Sequence, residues 1–148
     1  MEYENQHLPI LSVSTKEELE ESGVAVIYVF GSRVSGNHLP FSDLDLGFVM
    51  REMSLVEGNL SKLHTTLYDI LSSDILDSPT GPKLDISFLQ KANPALAMKA
   101  IQEGTILFEA NPILRADFEE SVFFKYDDYR RLQREFEDAT LRAFTPSL

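Results

Sequence analysis

The stretch from Gly31 to Asp45, GSRVSGNHLPFSDLD, constrains this chain more than any other part of it. An apolar run, Val24-Ala25-Val26-Ile27-Tyr28-Val29-Phe30, leads straight into Gly31-Ser32, and a second run, ending at Met50, carries Asp43 and Asp45. The pattern predicts a strand, a small-residue turn and a second strand. Side chains alternate along a strand, so Asp43 and Asp45 share one face while Leu44 and Leu46 point into a core. Two carboxylates on one strand face repel each other unless a cation sits between them. An oxygen-rich pair suits Mg²⁺, a hard cation that takes a few carboxylates and completes its shell with substrate phosphates. The Gly-Ser turn would hold those phosphates.

Chance explains this pattern poorly. Four fixed residues at fixed spacing occur at random in roughly one chain of this length in several hundred. The plain alternative is a surface turn with two solvated aspartates on an edge strand. Asp is depleted in strands, and two on one face need a reason.

The remaining punctuation is regular. Thr15-Lys16-Glu17-Glu18 resembles a capping box opening a helix that ends near Gly23. Leucines at helical spacing predict a helix from Ser54 to Ser73, with Gly58 a soft spot near its start. Asp77 to Pro82 is turn-rich, and Leu84-Asp85-Ile86-Ser87-Phe88-Leu89 alternates strictly, as a third strand does. Asn93-Pro94 opens a helix closing at Gly104, Thr105 to Phe108 forms a short fourth strand, and Asn111-Pro112 opens a last helical region reaching Phe144. Asp85 projects away from the core side chains, as Asp43 and Asp45 do. If the third strand lies beside the second, three carboxylates converge.

Gly-Ser, ten residues and Asp-x-Asp resembles the signature of the DNA polymerase β-like nucleotidyltransferase superfamily. The chain's small size resembles the minimal (MNT-type) branch, often the antitoxin half of HEPN/MNT toxin–antitoxin pairs. The resemblance runs from about Val24 to Phe118. Many relatives read Gly-Ser-x-Ala-Arg-Gly at the turn; here Val34 and Ser35 replace the Ala and Arg, Gly36 is kept, and Arg33 is the basic side chain left to serve a triphosphate. The resemblance implies Asp43, Asp45 and Asp85 as ligands of two Mg²⁺ ions, with Asp85 also the base for an acceptor hydroxyl. It further implies Gly31 and Ser32 as contacts to ATP.

Composition fits a small cytoplasmic enzyme. The 148 residues suffice for one domain, 1–148, with a C-terminal helical region over 111–144. Without cysteine there are no disulfides or thiolate metal sites. No apolar stretch approaches membrane-spanning length, and the acidic start, Met1-Glu2-Tyr3-Glu4, is unlike a signal peptide. A net charge of −11 argues against direct nucleic-acid binding and suits a basic protein partner.

Other polar residues rank lower. His7, His38 and His64 lack metal-ligand spacing, and Asp127-Asp128 diverge on a helix and read as a solvated face. Phe118, Val122, Tyr126, Tyr129 and Phe136 form an aromatic stripe that reads as core, with surplus aromatics left for docking a second protein.

The expected fold is therefore α+β, a small mixed sheet with helices packed on one side. The function that the resemblance implies is transfer of AMP from ATP to a hydroxyl on a partner protein, a HEPN-type toxin, in a hetero-oligomer. The elements use up the chain and leave no second domain to enclose a small substrate, so a partner completes the acceptor site. The alternatives are transfer to a small molecule such as an aminoglycoside, with self-association completing the site, and a non-catalytic antitoxin acting by binding alone.

Overall fold

The computed structural model describes residues 8–31, 44–75 and 83–145. Its centre is β1 (Val24–Phe30), buried at every position. β1 pairs antiparallel with β2 (Leu44–Met50) on one side and with β4 (Thr105–Glu109) on the other. β3 (Leu84–Phe88) adds in parallel to the free side of β2, giving a mixed sheet of order β3-β2-β1-β4. The fold class is α+β, as the sequence indicates.

Helices cover both faces of this sheet, which corrects the expectation of one. Alternate side chains of β1 belong to two separate cores. Ile27 and Val29 join Leu46, Phe48 and Ile86 under α1 (Val13–Glu21) and α3 (Leu60–Ile75), whose Leu19, Leu67 and Leu71 are fully buried. Tyr28 and Phe30 join Val49 and Leu89 under α4 (Pro94–Glu103) and α5 (Pro112–Phe144). The reason is visible in VAVIYVF: a strand with no polar alternation must be covered twice. Each fully buried leucine contributes about 1.5–3 kcal/mol through its removal from water.

Two local expectations also change. Ser12, not Thr15, caps α1: its Oγ accepts from the Thr15 backbone N–H at 3.1 Å. The helix expected over Ser54 to Ser73 divides into α2 (Met53–Glu57) and α3, with Gly58 and Asn59 between them. Asn59 starts α3 afresh by accepting from the Lys62 N–H at 3.1 Å. The caps at Asn93 and Asn111 form as read, each followed by proline in the first turn.

The first half of α5 is tied down. Arg115 lies 3.2 Å from Glu109 of β4, the Tyr28 hydroxyl donates to Glu119 at 2.8 Å, and the Phe118 ring packs 6.5 Å from that of Tyr28. Only Phe118 and Val122 of this helix are buried, so the aromatic stripe read as core is core for half its length. A helix can bury its stripe only as far as the sheet beneath it extends.

Candidate active site

β2 and β3 bring two of the three expected carboxylates together. Their parallel register pairs Asp45 with Asp85, flanked by Leu44 with Leu84 and Leu46 with Ile86. The flanking pairs enter the α1/α3 core, so both aspartates project from the other face. Adjoining strands run about 4.8 Å apart, so the two carboxyl groups are immediate neighbours. Asp45 is half-buried and Asp85 exposed. Asp43 and Ser32 lie outside the described residues, as do His7 and His38.

Gly31 closes the site from the β1 side. Phe30 is the register partner of Asp45, which places Gly31 next to that carboxylate. Its φ is +92°, and a Cβ built on it would collide with Asp45 Oδ2. Any other residue would be strained there and would displace the carboxylate. The glycine is thus demanded by two independent features, backbone hand and the nearness of Asp45.

Further residues shape the same face. Gly47 and Ser87 pair one step beyond the aspartates. A Cβ at Gly47 would run into the Leu89 side chain, which fills that space. The Gln90 side chain accepts from the Met50 N–H at 2.8 Å and donates to the Met50 carbonyl at 2.9 Å, closing the far end of β2 as an added strand would. Strand alternation points to Ser87, but no local sequence signal marks Gln90 or the Tyr28–Glu119 tie.

The described donors are oxygen only, on one sheet face, and reachable from solvent through Asp85. That set fits a hard divalent cation shared with phosphate oxygens. Among the described residues no group of three or more His, Cys, Asp or Glu could hold a metal by itself. His64 lies elsewhere, on the exposed side of α3, stacked 6.4 Å from Tyr68. Asp127 and Asp128 lie 3.6 and 3.4 Å from Arg131 on the solvated face expected for them.

The mixed sheet with its helices agrees with the comparisons. The family model described as polymerase beta, nucleotidyltransferase matches residues 14–113, and the chain belongs to that family. Solved structures share the fold. A chain of a toxin–antitoxin with AMP-PNP is 22% identical, with TM-score 0.54, covering 87% of this chain and 94% of its own. A chain from tri-AMPylated Shewanella oneidensis HEPN toxin in complex with MNT antitoxin is 20% identical, with TM-score 0.51 and coverage of 87% and 92%. A chain of the toxin–antitoxin MntA–HepT is 18% identical, with TM-score 0.54 and the same coverage. No curated protein matches. Among the described residues no helix is long and apolar enough to cross a membrane.

Proposed function

We propose that this chain is a Mg²⁺-dependent adenylyltransferase that moves AMP from ATP to a hydroxyl on a HEPN-type toxin, and so is the antitoxin of such a pair. The observation that carries the reading is the in-register pairing of Asp45 with Asp85 beside Gly31. The family membership supports nucleotidyl transfer, and the neighbouring structures, one with AMP-PNP and one with an AMPylated HEPN toxin, support the nucleotide and the acceptor.

Asp43, Asp45 and Asp85 would hold the metal, which when bound supplies positive charge against the triphosphate. The protein groups do the rest. Gly31 allows the backbone to approach phosphate closely, and Ser32 donates a hydrogen bond to it. Asp85, the exposed member, takes the proton from the acceptor hydroxyl as that oxygen attacks the α-phosphorus and pyrophosphate leaves. Asp45, wedged against Gly31, keeps its orientation between turns of the reaction. Positioning and fixed charge supply most of the rate in such displacements. Asp85 is exposed, in keeping with an acceptor brought by a partner.

The test is mass spectrometry of the co-expressed toxin after incubation with ATP and Mg²⁺. Wild-type chain should add AMP mass to a Tyr, Ser or Thr, and Asp85→Asn should abolish that addition while the complex still forms. Full neutralisation by Asp85→Asn with no added mass would leave an antitoxin that works by binding alone. Labelling of small hydroxylated molecules without any protein acceptor would replace the toxin with a small-molecule substrate.

A further inference from the structure

α5 has 33 residues, about 50 Å of helix at 1.5 Å per residue, and its second half leaves the sheet. The face begun by Phe118 and Val122 continues there with Tyr129, Leu132, Phe136, Ala139 and Ala143. Leu132 is 65% exposed and Phe136 73%, and among the described residues nothing packs on them. Alternating steps of three and four are the spacing by which two helices pair.

We infer that the C-terminal half of α5 pairs antiparallel with the same half of a second copy of this chain. Size favours this arrangement. With the two helices aligned about Arg134, each Tyr129 faces an alanine, Ala139 of the second copy, and each Phe136 faces Leu132. The Lys125 stem faces Ala143. Large thus meets small toward both ends of the seam, and two Phe–Leu pairs fill its centre. A parallel pairing would set Tyr129 on Tyr129, Leu132 on Leu132 and Phe136 on Phe136, and then alanine on alanine at 139 and 143, overfilled at one end of the seam and empty at the other.

Charge favours it as well. In the antiparallel register Asp128 meets Arg142 of the second copy at both ends, while Glu135 meets Glu135 in the middle. A parallel register would offer Asp128 and Glu135 only the uncharged Gln133 and Thr140. Asp128 now lies 3.4 Å from Arg131, an exposed pair of small worth, and Asp127 remains for that arginine. Net charge points the same way. Residues 126–148 carry four arginines and five acids, a charge of −1, so the rest of the chain holds −10 of the total −11. The antiparallel pair holds the two acidic bodies about 24 Å apart along the helices, well beyond the roughly 8 Å screening length at physiological salt. The seam shares no residue with the aspartate site, so the inference stands apart from the transferase reading.

Sedimentation of the full chain, without nucleotide or toxin, tests it. The wild type should associate reversibly to a dimer as concentration rises. Phe136→Asp, at a position exposed in the single chain, should keep the thermal midpoint of the dilute monomer and weaken the dimer about tenfold or more. Glu135→Gln should tighten it by removing the central repulsion. Asp128→Arg and Arg142→Asp should each dimerise poorly alone, yet associate when mixed, because the mixture restores both ion pairs. A monomer at every concentration, a dimer indifferent to Phe136→Asp, or single variants that associate equally well alone and mixed would overturn the inference.

Discussion

The two faces of the sheet are built to different ends. Beneath α1 and α3 the face is packed with apolar side chains: Ile27, Leu46, Phe48, Leu67 and Leu71 meet there, and the buried hydroxyl of Thr15 lies at the rim. The face beneath α4 and α5 is also apolar at its centre, but polar groups are kept on it. Asp45 and Asp85 stand at one end, Tyr28 and Glu119 bond in the middle, and Gln90 clamps Met50 at the other end. There a cavity of about 330 Å³ remains between Val49, Leu89, Phe118 and Lys125. One face holds apolar packing and the other also carries the proposed site, so substitutions on the two faces should separate stability from nucleotide binding.

The largest expected effect is on the packed face. Leu71→Ala, at a fully buried site on α3, should lower stability by about 2–5 kcal/mol, read by thermal or urea unfolding. Nucleotide binding per folded molecule should be unchanged. A loss of affinity at equal folded fraction would break the division between faces.

Gly31→Ala should reverse that pattern. A positive φ costs a side chain about 1–2 kcal/mol, and the new Cβ must also push Asp45 aside. The stability loss should be smaller than for Leu71→Ala, yet ATP·Mg²⁺ affinity, measured by calorimetry, should fall by more than about tenfold. Unchanged affinity would remove Gly31 and Asp45 from the site.

How much of this was legible in the sequence differs by kind of information. Elements bounded by their own residues could be read: Asn93-Pro94 and Asn111-Pro112 mark helix starts because proline needs no N–H partner there. The apolar run of β1 was also read, but its consequence, cover on both faces, needs the knowledge that β1 lies at the centre of the sheet. Asp85 alternates correctly, yet only the parallel register of β3 sets it beside Asp45, and register is a property of two strands at once. Tyr126 and Phe136 share one stripe at one spacing. What separates them is where the sheet stops, which nothing local records.

Tyr28→Phe probes the polar middle of the second face. Burial, then the hydrogen bond to Glu119, push the Tyr28 phenol well above its ordinary 10.0. A raised value means the folded state holds the proton more tightly. That contribution is complete below pH 10.0 and is lost as pH climbs toward the folded value. Wild-type stability should therefore drop on the alkaline side more steeply than that of Tyr28→Phe. At neutral pH the variant loses one hydrogen bond and leaves Glu119 without its donor, about 1–3 kcal/mol. Parallel alkaline curves for the two proteins would mean that Tyr28 titrates normally and that the tie between α5 and β1 is weaker than its geometry implies.

The smallest effect belongs to the rim of the packed face, where α3 meets the cap of α1. Asp74 accepts from the Ser12 backbone N–H at 2.8 Å. That bond first, and the Thr15 hydroxyl second, hold its carboxyl below the ordinary 3.8. A depressed value reverses the sign found for Tyr28: the contribution is present above 3.8 and disappears as pH falls through the folded value. Asp74→Asn keeps an oxygen to accept the Ser12 N–H but removes the charge, so it isolates that term. Asp74 is partly open to solvent, which screens most of the gain, and the variant should lower the thermal midpoint by only roughly 1–2 °C at neutral pH. The gap should close on acidification below the carboxylate range, where both side chains are neutral. A gap that persists there would mean Asp74 acts through shape alone, and the packed face would then owe nothing to charge even at its edge.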